Sequence, residues 1–105
     1  MLHTDFPIVE PDPFESIYCA TERKTSRGRV LGKDQKISRL QALTAWTLTG
    51  AYSSFEEHQR GSLKPGKLAD IAVLDRDILT VSGDELLETQ VLATIFDGRL
   101  LHSRL

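Results

Sequence analysis

Few residues of this chain combine a type and a spacing that could do chemistry. His3 and Asp5 stand two positions apart in the stretch HTDFPI. If that stretch is a β-strand, both side chains point to the same face, where an imidazole and a carboxylate could bind a divalent metal. A catalytic zinc usually has three protein ligands and an open fourth position. The pair therefore supplies only part of a metal site, and a strand-end side chain without a ligand role remains the alternative for His3.

Two further groups of residues are weaker candidates. Cys19 could be a nucleophile, but no histidine stands in an interpretable relation to it, and we expect a half-buried thiol on a helix. A basic run could bind phosphate or nucleic acid, but no aromatic residue interleaves with it, so we expect a solvated loop and no nucleic-acid partner. The run comprises Arg23, Lys24, Arg27 and Arg29, with Lys33, Lys36 and Arg39 nearby.

Composition describes an ordinary folded chain. Its 105 residues are 40% hydrophobic and 27% charged, with a formal net charge of −2, which argues against disorder and against a global field that attracts nucleic acid or anionic lipid. The single cysteine excludes an intrachain disulfide and favours a reducing cytoplasm. The sequence shows no signal-peptide pattern and no apolar run of membrane-spanning length, so we expect no membrane partner.

Capping signals predict the helices that must position these residues. Asp12 before Pro13 is typical of an N-cap followed by proline at the first helical position, and it predicts a helix over 14–21. Ser38 and Gln41 form a capping box at the start of a second helix, which we expect to break near Gly50. A short third helix over 51–58 would bury Tyr52 and Phe55.

Strands are predicted at the N-terminal end and in the C-terminal third of the chain. The first strand is predicted over residues 2–8, before the prolines at 11 and 13, and another over 69–75. A single helical turn is expected at 85–88. Asp97 and Gly98 predict a hairpin between strands at 91–96 and 99–102. The isolated chain is therefore predicted to be α+β, with helices packed against a small sheet.

The stretch GSLKPGKLADIAVLD, from Gly61 to Asp75, carries the most specific pattern. Gly61 and Gly66 permit backbone angles that a side chain would block. Pro65 and Gly66 suit a type II turn, and Asp70 could cap the free amides of that turn. The stretch resembles the C-terminal signature of the metal-dependent amidohydrolases.

The resemblance extends over nearly the whole chain. HTDFPI looks like the last barrel strand of the amidohydrolase-3, or YtcJ-like, branch of that family. ISR at 37–39 and the stretch through Tyr52 look like the helices that follow, and FDGRL at 96–100 looks like the closing hairpin. The resemblance implies the last strand and helices of a (β/α)8 barrel in residues 1–60, and the C-terminal part of a composite β-sandwich in residues 61–105. A whole barrel needs about 250 residues, so the resemblance implies the C-terminal part of a larger enzyme.

The resemblance also implies a chemistry. Asp5 matches the aspartate that the family places at the end of its last barrel strand, where it would bind the metal, zinc above all, or the metal's water, and take a proton from that water. The intact enzyme would hydrolyse non-peptide C–N bonds of a small amide-like substrate. The family's His-x-His pair is missing here, so we expect the isolated chain to be inactive and to hold no metal.

Two other functions stay open from the sequence. One is a non-catalytic scaffold or regulatory role for an amidohydrolase-like protein. The other is a small module that binds an anionic ligand through the basic run. In the parent enzyme that the resemblance implies, the tail strands would pair with strands outside this chain. Unpaired strand edges invite pairing with another copy, so we expect a homo-oligomer or a rearranged N-terminus.

Overall fold

The computed structural model describes residues 1–105 and shows an α+β chain, as the sequence predicts. None of its helices is long and apolar enough to cross a bilayer. In chain order its elements are α1 Pro13–Glu22, a 3-10 helix at Lys33–Gln35, α2 Arg39–Trp46, α3 Leu48–Ser53, β1 Ile71–Leu74, α4 Gly83–Leu87, β2 Val91–Phe96 and β3 Arg99–Ser103.

The first two helices begin where their capping residues predict. The Asp12 carboxylate accepts from the backbone N–H groups of Phe14 and Glu15, at 2.8 and 3.4 Å. At the start of α2 the Ser38 hydroxyl accepts from Gln41 N, and the Gln41 side chain accepts from Ser38 N at 2.8 Å. Both caps satisfy amide donors that the first turn of a helix leaves without partners.

The predicted break at Gly50 and the predicted third helix are wrong in position. The chain bends at Thr47, which ends α2 and precedes α3 with a non-helical φ of −114° and ψ of −85°. Gly50 lies inside α3, which restarts the helical register and turns Ala51 inward. Tyr52 and Phe55 are therefore exposed, at 68% and 89%, rather than buried.

The N-terminal segment corrects the predicted first strand. Residues 1–4 have no assigned secondary structure, and a turn follows at 5–8. A β-strand needs a hydrogen-bonded neighbour strand, and the described chain places none beside this segment. A bond from Leu2 N to Ala45 O, 3.4 Å long, ties it to the end of α2 instead.

The sheet has three antiparallel strands in the order β1-β2-β3. Asp97 and Gly98 join β2 to β3 with φ values of 47° and 75°, the two positive values that a type I′ hairpin turn requires, so the predicted hairpin is confirmed. A register shift between Thr94 and Ile95 leaves Leu101 as an extra residue on β3. Every residue of β3 is exposed.

The core joins the two halves of the chain. Ile17 of α1 and Ala42 of α2 pack with Ile78, in the loop after β1, and with Leu86 of α4. Arg39 reinforces this contact, because its Nη1 donates to Ile78 O at 2.7 Å and its Nη2 donates to the Glu22 carboxylate at 3.3 Å. This small cluster therefore packs the two N-terminal helices against residues of the C-terminal half.

Candidate functional site

Asp5 and His3 lie on the N-terminal segment, and both are exposed. Asp5 adopts a positive φ of 52° at the start of the turn, where its carbonyl oxygen accepts from Ile8 N at 2.9 Å. His3 lines a cavity of about 300 Å³ against α1. The other polar side chains that line this cavity include Glu15, Cys19 and Arg23. Asp5 is not part of that lining, so the cavity does not join the two predicted metal ligands.

The donor set for a metal is incomplete in this chain. The described residues contain no group of three His, Cys, Asp or Glu side chains that could hold an ion. His3 and Asp5 alone fall short of the three protein ligands that a catalytic zinc usually has. No step at a metal follows from these residues by themselves, and the role predicted for Asp5 stays a prediction.

Cys19 is exposed, not half-buried as expected. The helix α1 turns Ile17 and Thr21 into the core, which leaves Cys19 on the outer side. Partial burial is still the main cause that raises the pKa of its thiol, and the nearby Glu15 carboxylate raises that pKa further. A raised pKa lowers the thiolate fraction, which is the reactive form, so the site does not favour a nucleophilic role.

The basic run forms a folded loop. Arg23 Nε donates to Leu31 O at 2.9 Å across the base of the loop, and Lys24 pairs with Val30 in an antiparallel bridge. Arg27 and Arg29 are exposed near its tip. One of the basic side chains is thus engaged in holding the loop itself.

The signature from Gly61 to Asp75 forms the joint between the helices and the sheet. Gly61 has a φ of 91°, and a Cβ there would lie 2.8 Å from Ala51 Cβ and 3.0 Å from Leu48 Cα. Only glycine fits this close approach to α3. Gly66 has the same φ in the turn that Lys67 N closes onto Lys64 O at 3.1 Å, as predicted for a type II turn.

Lys67 fastens this joint through its ammonium group. Its Nζ donates to the main-chain oxygens of Glu57 and Arg60 and, at 2.8 Å, to the Ser62 hydroxyl. Hydrogen bonds from a charged donor are stronger than neutral ones. This role could not be predicted from the residue types, because two of the three partners are main-chain carbonyls that any residue could supply.

Asp70 caps a different turn from the one predicted. Its Oδ1 accepts from Asp97 N at 2.9 Å, and Gly98 N donates to Ala69 O at 3.1 Å. The carboxylate therefore ties the entry of β1 to the distant hairpin, not to the turn at Pro65. Asp97 could not be predicted as the partner of Asp70, because a cap is predictable only when donor and acceptor are close in the chain.

Asp75, the last residue of the signature, accepts hydrogen bonds from Arg76 and Gln90. Its Oδ1 accepts from Arg76 Nε at 2.9 Å and from Gln90 N at 3.0 Å, while its Oδ2 accepts from Arg76 Nη2 at 2.8 Å. The Arg76 hydrogen bond, followed by the Gln90 amide, lowers the pKa of Asp75 to about 2. Arg76 also donates to Glu85 O at 3.1 Å, which links β1 to α4.

The signature residues therefore have structural roles, since they join the helices to the sheet and the strands to each other. The family model described as "Amidohydrolase family" matches residues 1–102. An N-substituted formamide deformylase from Arthrobacter pascens is 36% identical over 103 residues, which cover 98% of this chain and 19% of the relative. Protein LONG AFTER FAR-RED 3 from Arabidopsis thaliana is 35% identical over 105 residues, which cover 96% of this chain and 17% of the relative.

No solved structure matches the chain. The chain spans less than a fifth of the length of the two curated relatives described above. Because the family model matches residues 1–102, nearly the whole chain, this chain belongs to the amidohydrolase family.

Proposed function

We propose that the chain forms the C-terminal part of a metal-dependent hydrolase that acts on non-peptide C–N bonds. The observation that carries this proposal is the family match over residues 1–102, together with 36% identity to a protein named for removing formyl groups from N-substituted formamides. Members of this family are generally metal-dependent. We propose zinc as the metal, residues 1–60 as the end of the barrel, and residues 61–105 as part of the β-sandwich.

Asp5 is the residue that we propose for the chemistry. Its carboxylate is exposed on the N-terminal segment, where it can accept the proton of a water that attacks the amide-like carbon. That proton then passes to the leaving nitrogen as the C–N bond breaks. A bound divalent metal would supply the lowered pKa of that water, and the donors missing here would come from outside this chain.

A chimaera tests this proposal. Residues 1–102 would replace the matching segment of the Arthrobacter pascens deformylase, and turnover of an N-substituted formamide would be measured. We expect the chimaera to be active and Asp5→Asn to reduce kcat by at least about 100-fold, the lower end for loss of general-base catalysis. Asp34→Asn is the matched control, because Asp34 is an exposed acid on the 3-10 helix.

The outcomes separate the role of Asp5 from the folding of the chimaera. Thermal unfolding should give similar midpoints for both variants. An Asp5→Asn chimaera that keeps full kcat contradicts the proposed role. Turnover by the isolated 105-residue chain contradicts the proposal that it is only part of the enzyme.

A non-catalytic role is the second candidate. It is supported by the 35% identity to the Arabidopsis thaliana protein, whose name states no reaction. Under this candidate an Asp5→Asn substitution leaves every measured turnover unchanged.

A further inference from the structure

We draw no further inference here: the strongest candidate, the cleft of about 770 Å³ that is lined by Trp46 of α2 and by Ile71 and Ala72 of β1, lies on a chain that spans less than a fifth of the length of its relatives, and nothing in the structure shows what covers it.

Discussion

Asp75 and Arg76 form a charged pair just after the end of β1. Arg76 donates two hydrogen bonds to the Asp75 carboxylate, and the Gln90 backbone amide donates a third. These bonds favour the ionised carboxylate, which lowers the pKa of Asp75 from 3.8 to about 2. A group whose pKa is lowered by folding stabilises the folded state above its unfolded pKa, and it loses that contribution as the pH falls through its folded pKa.

The Asp75–Arg76 pair predicts that the folded chain loses stability in acid. The free energy of unfolding, measured by urea titration, is expected to fall as the pH drops from about 4 to about 2, because the unfolded state then binds more protons. Asp75→Asn should flatten this slope. Some slope should remain, since the pKa of Glu85 is also lowered by the Ser82 amide. An unchanged slope in Asp75→Asn would show that the pair does not persist in solution.

Gly61 gives a second prediction at this scale. Gly61→Ala is expected to destabilise the chain by about 1–3 kcal/mol through backbone strain at positive φ, and by about 1–3 kcal/mol more through overpacking against α3. The measurement is the midpoint of urea unfolding.

Gly66→Ala is the matched control for Gly61→Ala. It has the same φ of 91°, but no atom lies within 4 Å of the added Cβ. It should therefore show the strain without the overpacking. Equal losses for the two variants would mean that Gly61 does not approach α3 as closely as described.

Elements of this chain were predictable where their determinants are local. The Asp12 cap, the Ser38 capping box and the Asp97 hairpin were confirmed because each signal and its partner lie within a few residues. A second capping box, in which Ser82 and Glu85 start α4, carries the same local signal and was missed.

The failed predictions depended on distant partners. A first strand requires a neighbour strand, and the described chain has none beside residues 1–8. The buried stripe of the third helix requires the bend at Thr47, which no local pattern indicated. In the candidate site the sequence pointed to Asp5 through resemblance, but the partners of Lys67 and Asp70 depend on tertiary contacts.

Removing the Lys67 ammonium group should loosen the joint between the helices and the sheet. Lys67→Met takes a charged donor away from three oxygen acceptors and leaves some of them unpaired. The free energy of unfolding is expected to fall by about 1–3 kcal/mol. Hydrogen exchange should increase most at residues 57–68. Lys64→Met is the matched control on the exposed side of the same turn, and an equal effect there would contradict the role given to Lys67.

The whole molecule depends on a small core that both halves share. Eight of 105 residues are buried, and the cluster draws Ile17 and Ala42 from one half and Ile78 and Leu86 from the other. Because neither half keeps a complete cluster by itself, we expect one cooperative unfolding transition for the full chain. Residues 61–105 expressed alone should be unfolded. Nuclear magnetic resonance tests this, and a dispersed spectrum would contradict it.

Leu86 tests the shared core directly. Leu86 is fully buried, so Leu86→Ala should cost about 2–5 kcal/mol, a large part of the about 5–15 kcal/mol that stabilises a typical domain. Leu87→Ala is the control, since its side chain is 44% exposed. Thermal unfolding of the two variants should differ clearly, and similar midpoints would show that the cluster does not organise the fold.

We propose that this chain supplies Asp5 to a metal centre that it does not complete. Calorimetric zinc titration of the purified 105-residue chain, beside its Asp5→Asn variant, tests this proposal. We expect no stoichiometric zinc site in either protein, because no third ligand lies near His3 and Asp5. Stoichiometric zinc that is lost in Asp5→Asn would contradict it, since the chain would then build a metal site of its own.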